Sequence, residues 1–388
     1  MTRLPSIDHV LALRLAPFYI ALFMIVGLQL PFWPVWLTHK GLTGEEIGIV
    51  LSMPLWMKIL FTPLIAGLAD HFGRRRIPLV VMSALCLGLF QFYFFASGFW
   101  QILVISLSIG IFFSSFSALG DNLVLTLARS HKIDYARIRL WGSISFILAA
   151  AWGGQIFAGS TADIIPVVIL GAYLALFLSC LLLPEIKPAP TAHRKTGIWE
   201  LLLVPEFAGF LIAAGLIQAS HAVLYSTGTL QWQNQGISDR IIGFLWAEGV
   251  IVEIILFAFA RYIFRSFSPA QLLLLGATAG LIRWSFMGFS PGITVLAFTQ
   301  ALHGVTFAAA HLGAMHFISE KIPVEVSGRA QGLYSAVSLG VIMGGGLFIS
   351  GYLYENFGTG AYFFMAASCL ASLLIIPFLL RKSGQFLY

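Results

Sequence analysis

The chain has 388 residues, of which 59% are hydrophobic and 10% charged, where an ordinary soluble domain carries about 25% charged residues. That balance excludes a soluble globular fold and implies an integral membrane protein. The formal net charge of +6 does not point to nucleic acid, because the basic residues fall in short clusters between apolar runs and form no contiguous surface.

Twelve apolar runs of spanning length follow in chain order, near 15–37, 45–69, 77–97, 101–127, 139–159, 164–183, 207–230, 241–260, 270–289, 292–318, 329–353 and 360–380. None alternates over about ten residues as barrel strands do, so the predicted fold class is all-α. The first run is long and lacks a small-residue cleavage site, so it reads as a retained span and not a signal peptide. Cys86, Cys180 and Cys369 each lie inside an apolar run and offer neither a disulfide framework nor metal-ligand spacing. No metal and no cofactor is expected.

The Lys/Arg bias orients the spans. With the N-terminus inside, only Lys40 and Arg240 of the 22 basic residues fall outside, and only Lys58 and Arg283 fall within spans. The remainder gather on the cytoplasmic side, and both termini are cytoplasmic. A missed or extra helix would scramble that alternation.

The chain reads as two copies of one design. "WLTHKGLTGEEIG" joins spans 1 and 2, and "WQNQGISDRIIG" joins spans 7 and 8, with Gly41 and Gly48 spaced as Gly236 and Gly243. Arg139-Leu-Trp-Gly142 is echoed by Arg329-Ala-Gln-Gly332. The predicted division is an N-terminal bundle 1–185, a Pro-rich basic linker 186–205 and a C-terminal bundle 206–388. Parallel six-helix repeats describe the major facilitator architecture. The stretch "AGLADHFGRRR" after span 2 resembles that superfamily's loop motif: Asp70, Gly73, Arg74 and Arg75 match, and Ala66 replaces the first Gly. The resemblance implies that Asp70 caps a helix and pairs with arginine to latch the cytoplasmic side. The bland alternative is a plain positive-inside cluster.

Five ionisable residues lie within spans: Lys58, Asp121, Glu248, Glu253 and Arg283. Each costs roughly 2.5–3.5 kcal/mol at a helix centre, so each must face an aqueous cavity or a partner. Glu248 and Glu253 lie five apart, about 140° around a helix; Glu253 is the favoured cavity-facing acid. Polar stripes run along several spans: Ser114, Ser117 and Asp121; Gln218, His221, Tyr225 and Trp232; Gln300, His303 and Phe307; Tyr334 and Ser338. Such stripes mark the side away from lipid, either as cavity wall or as glue between helices. Gln29 and Lys58 complete the expected cavity residues.

The segments "LPFWPVWL", "IDYARIRLWGS", "QASHAVLY", "GVIVEIILFAF", "GLIRWSFMG", "QALHGVTFAAAHLGAM" and "GLYSAVSLG" resemble the phenylpropionate permease branch of the major facilitator superfamily, over nearly the whole chain. That branch is similar to the lactose permease group of proton symporters. The resemblance implies that Asp121 and Arg139, 18 apart, match a substrate-gripping pair, and that Arg283 and His303, 20 apart, match a second pair. Thr306 stands where the group carries a proton-bearing glutamate, so the proton carrier shifts to Glu253 or Asp121.

The resulting expectation is a secondary transporter that couples a small organic acid, aromatic acids included, to the proton gradient. Its partners would be substrate, protons and the lipid bilayer, with no nucleic acid, as a monomer in a bacterial cytoplasmic (inner) membrane. A sugar, oligosaccharide or nucleoside symporter and a drug efflux antiporter are the transport alternatives. An enzyme would need a catalytic cluster that is not visible here, and a receptor or scaffold would usually append a soluble domain.

Overall fold

The computed structural model describes residues 7–71, 73–131, 133–185 and 201–381, and all regular structure among them is helical. Most of the linker therefore lies outside the described residues, as do the side chains of Asp70 and Arg129.

Six helices form the first half: α1 (Ile7–His39), α2 (Gly44–His71), α3 (Arg76–Phe90, running on as Gln91–Phe94), α4 (Phe99–Phe113 and Phe116–Ser130), α5 (Tyr135–Phe157) and α6 (Ile164–Leu182). The second half has α7 (Pro205–Ala219 and Ala222–Asn234), α8 (Asp239–Ile263), α9 (Pro269–Gly288), α10 (Ile293–Gly304, Val305–Ala309 and Ala310–Lys321), α11 (Val324–Leu333, Tyr334–Ile342 and Met343–Phe357) and α12 (Ala361–Arg381). Eleven segments are long and apolar enough to cross a membrane, and the last, Val326–Pro377, has 52 residues. At 1.5 Å per residue that segment is about 78 Å long, too much for one crossing of a ~30 Å core. It is two helices, α11 and α12, divided at the short turn Gly358–Gly360.

Local chemistry sets the helix starts. Thr43 and Glu46 bond reciprocally ahead of α2, at 3.2 and 2.9 Å. Asp134 accepts the Ala136 and Arg137 N–H groups at the start of α5, and Ser268 with Gln271 forms a capping box before Pro269 on α9. These side chains occupy backbone donors that a helix start leaves unpaired.

The two loops matched by sequence close alike. Gly41 and Gly236 have φ of 83° and 78°, a region open to glycine because it has no Cβ. Gly41 N–H donates to Thr38 and Leu42 N–H to Leu37; Gly236 N–H donates to Gln233 and Ile237 N–H to Trp232. Both are the same helix-ending motif. Packing repeats as well: α1 lies on α5 and α6, and α3 on α6, while α7 lies on α11 and α12, and α9 on α12.

The helices are less regular than their hydropathy. α4 breaks at Ser114–Ser115 and α7 at Ser220–His221, and α10 and α11 each contain wider π-type turns. The expected stripe of Ser114, Ser117 and Asp121 assumed an unbroken α4. With the break, Ser117 is exposed, and it is Ser115 that turns inward and is buried. Ser338 on α11 proves to be glue, donating to the Leu211 carbonyl of α7 at 2.8 Å.

By contact the described chain forms two compact units. One comprises Met1–Leu42, Trp56–Thr191 and Ser238–Ala247; the other comprises Thr43–Leu55, Ala192–Ile237 and Glu248–Tyr388. Each thus holds most of one sequence half plus the start of one helix from the other. Small residues explain the assignment. In the first unit a Cβ on Gly243 of α8 would stand 2.5 Å from the Ala150 carbonyl of α5. In the second, a Cβ on Gly48 of α2 would stand 2.6 Å from the Leu347 carbonyl of α11. Glycine lets these backbones meet without a side chain between them.

Candidate functional site

In the first unit a polar cluster forms around Asp121, itself partly exposed, on the second segment of α4. Its Oδ1 accepts two phenolic hydroxyls, Tyr19 of α1 at 2.6 Å and Tyr135 of α5 at 3.0 Å. Tyr19 is fully buried. Arg139, one turn beyond Tyr135, lays its guanidinium on the Phe23 ring at 3.9 Å and near the Tyr19 ring at 5.6 Å. No ion pair joins Asp121 to Arg139 among the described residues. Tyr19 stands between them instead, its hydroxyl on the acid and its ring under the cation. Close backbones hold this arrangement: Ser145 of α5 donates to the Ile20 carbonyl at 2.7 Å, and a Cβ on Gly120 would run into the Phe18 ring.

In the second unit the corresponding cluster centres on Arg283 of α9, which is fully buried. Its Nη1 donates to His303 Nδ1 and its Nη2 to Gln300 Oε1, each at 3.1 Å. Its carbon centre lies 4.2 Å over the Trp284 ring. A guanidinium carries only donors, so His303 Nδ1 must be an acceptor and the ring proton must sit on Nε2. That nitrogen faces Glu253 Oε2 of α8 at 4.0 Å. Arg283 thus bonds His303, whose other nitrogen faces Glu253, in an order that runs from α9 through α10 to α8. The approach of α8 to α10 again depends on glycine. Gly304 sits against the backbone of Val252 and Glu253, and Gly249 against the His303 ring.

His221, in the break of α7, flanks this chain. Its ring meets the rings of His303 and Trp284 edge-on at 5.1 and 5.2 Å. Its Nδ1 lies 3.1 Å from the Gln218 carbonyl, which assigns the donor to Nδ1 and leaves Nε2 an acceptor, buried without a partner. Trp284 is fixed by its Nε1 donating to Ser220 Oγ at 2.8 Å and by stacking on Tyr362 of α12.

The other expected cavity residues are dispersed. Gln218, Trp232 and Tyr334 are buried, and Gln29 and Tyr225 are partly exposed. Phe307 stacks between His303 and His311 along α10. Glu248 is partly exposed five residues before Glu253. Lys58 sits midway along α2, partly exposed.

At the loop motif, Gly73 has φ of 59°. Glu185, just past α6, accepts the backbone N–H groups of Arg75 and Arg76 at 3.0 and 3.3 Å, and Arg76 Nη2 donates to the Leu181 carbonyl at 2.7 Å. Arg74 is exposed. The role expected of Asp70 rests on a side chain outside the described residues. Sequence reading missed Glu185, Tyr19, Tyr135, Ser220 and Trp284. Tyr135 and Trp284 lie within segments already singled out by resemblance, but a lone aromatic in an apolar helix gives no signal of what it bonds.

A family model described as the MFS_1 like family matches residues 12–365. The probable 3-phenylpropionic acid transporter of Escherichia coli (strain K12) is 34% identical over 369 residues, 92% of this chain and 95% of that protein. Maltose permease of Geobacillus stearothermophilus is 26% identical over 379 residues, 94% of this chain and 93% of the permease. Among solved structures, a mutant of the nucleoside transporter NupG superposes with a TM-score of 0.86 at 16% identity, covering 95% of this chain and 99% of that one. At that identity the likeness is one of fold.

Proposed function

Because the chain belongs to the MFS_1 like family of membrane transporters, we propose that it moves a small organic acid, an aromatic one in particular, together with protons by alternating access. The relative named for 3-phenylpropionic acid supports the substrate class. The observation that carries the coupling is the line from buried Arg283 through His303 to the partly exposed Glu253. A carboxylate takes up or releases a proton as the charges around it approach and withdraw. A carboxylate on α8, addressed by a histidine that an arginine orients, is suited to respond in that way when α8 and α10 shift. Thr306 carries no acid beside His303, which supports Glu253 as the proton carrier, with Asp121 as the second candidate.

In this reading the halves 1–185 and 206–388 work by alternating access. Gln29, Gln218, His221, Tyr225, Trp232, Phe307 and Tyr334 serve as substrate-cavity residues, Glu248 joins the coupling residues, and the loop motif at Asp70, Gly73, Arg74 and Arg75 latches the cytoplasmic side. The proton gradient is the energy source and no cofactor takes part. The Lys/Arg distribution supports a bacterial cytoplasmic membrane with both termini inside, and one chain suffices for the architecture. A sugar is the second reading, favoured by the likeness to maltose permease and by the Asp121 carboxylate with its two phenols.

The test is uptake of radiolabelled 3-phenylpropanoate into proteoliposomes under an imposed pH gradient. Accumulation that a protonophore abolishes and Glu253→Gln removes is expected. Uptake indifferent to the gradient, or an equal response in Glu253→Gln, would overturn the coupling. Accumulation of maltose in place of the acid would favour the second reading.

A further inference from the structure

Of the cations placed above, Arg139, Arg283 and Lys58 are the candidates to meet a carboxylate. Arg283 is fully buried, and both its terminal nitrogens are engaged by His303 and Gln300. Arg139 lies one turn into α5, with its guanidinium laid on the Phe23 ring and near the Tyr19 ring. Lys58 differs from both. It has neither a hydrogen-bond nor an ionic partner among the described residues, yet it sits at the middle of α2, with about 20 Å of helix on either side. That depth is too great for its stem to carry the ammonium to a headgroup region. Its side chain is partly exposed, so it is open to a ligand.

One turn on, on the same face of α2, is Thr62. Ser115, the buried serine in the break of α4, donates to the Thr62 hydroxyl at 3.3 Å. Thr62 accepts that bond and keeps its own hydrogen for another acceptor. An uncompensated ammonium and a spare hydroxyl thus share one helix face, pinned to α4 through Ser115.

We propose that Lys58 is the residue that pairs with the carboxylate of the transported acid, with the Thr62 hydroxyl as its second donor. The inference rests on the organic-acid reading above. It relieves Arg283 of substrate binding and leaves it to orient His303. It also explains why a lone ammonium is kept at mid-membrane, where an intramembrane charge without a partner is costly and marks a functional site.

The experiment compares equilibrium binding of 3-phenylpropanoate with that of its neutral isostere 3-phenylpropanamide, using the purified full chain in detergent. The wild-type protein is expected to prefer the acid. In Lys58→Gln the acid should bind about tenfold to a hundredfold more weakly, the range of a lost charge-assisted bond, with amide binding unchanged. Retained amide binding reports an intact fold. In Lys58→Cys, modification with an aminoethyl reagent should restore the preference and a neutral reagent of equal length should not. A Lys58→Gln protein that keeps the wild-type preference overturns the assignment and leaves the organic-acid reading standing. So does restoration of Lys58→Cys by the neutral reagent. A wild-type protein that binds both ligands equally, or neither, overturns the organic-acid reading and this inference with it.

Discussion

Gly304→Ala tests the geometry of the Arg283–His303–Glu253 chain without touching any of its members. A Cβ at Gly304 would stand 2.7 Å from Val252 Cγ1, 2.8 Å from the Glu253 nitrogen and 2.9 Å from the Val252 carbonyl carbon. Non-bonded heavy atoms settle at about 3.5 Å or more, so the shortfall is roughly 0.6–0.8 Å. Two of these three atoms are backbone and cannot rotate aside, so α8 and α10 must part by about that amount. In an open helix the same change gains about 1 kcal/mol from intrinsic propensity, whereas overpacking costs about 1–3 kcal/mol; the balance is a loss. Separation also widens the His303–Glu253 approach beyond its present 4.0 Å, so coupling suffers with stability. Gly345→Ala on α11 is the matched control, with no atom within 4 Å of the added Cβ. In thermal unfolding of the purified protein, Gly304→Ala should melt below wild type and Gly345→Ala at or above it. Gradient-driven uptake should fall several-fold in Gly304→Ala alone. If Gly304→Ala melts as high as Gly345→Ala and transports normally, the two helices are not as close as drawn and the relay loses its support.

Further expectations concern the first unit and the helix supports. Tyr19→Phe removes the shorter of the two bonds on Asp121 and should cost about 1–3 kcal/mol of stability; Tyr135→Phe, at 3.0 Å and partly exposed, should cost less, and the reverse order in melting experiments would contradict the geometry. Gln300→Leu leaves Arg283 Nη2 buried without an acceptor, whereas Gln300→Glu keeps one; the first should lower the melting temperature and the second should not. Ser268→Ala breaks the capping box of α9 and should cost about 1 kcal/mol, with uptake per folded molecule unchanged.

The sequence made the number and order of spans legible because each crossing must be a long apolar run, and the helix-ending glycines Gly41 and Gly236 carried the repeat. It could not show the interior breaks. Hydropathy is blind to whether Ser114–Ser115 or Ser220–His221 continues a helix, since serine at a break is no more polar than serine within one. The breaks then decide the site. The turn at Ser115 sends that serine to Thr62 and leaves Ser117 outside, and the one at His221 brings its ring against His303. The family resemblance paired Arg283 with His303 and Asp121 with Arg139; the first pair is hydrogen-bonded, and Tyr19 stands between the second. What lies between two charges depends on rotamers of aromatic residues on a third helix, and Tyr19 carries no periodic mark for it.

The charges within the spans show how the two units meet the same cost by different means. In the first, a carboxylate is held by neutral phenols, and the nearby arginine rests on aromatic faces. Both phenols donate to the same carboxylate oxygen of Asp121. In the second, a histidine and a glutamine take the terminal nitrogens of Arg283, and Glu253 Oε2 stands 4.0 Å from the histidine's other nitrogen. An arginine that spends its donors on neutral partners keeps its positive charge in the cluster, where it bears on whether His303 and Glu253 hold protons. In the proposed function the second cluster is the one that responds to small helix displacements, because His303 stands between Arg283 and Glu253. That asymmetry supports the proposed placement of proton coupling on α8, α9 and α10 in preference to Asp121, and it agrees with the proposal that Lys58 meets the substrate.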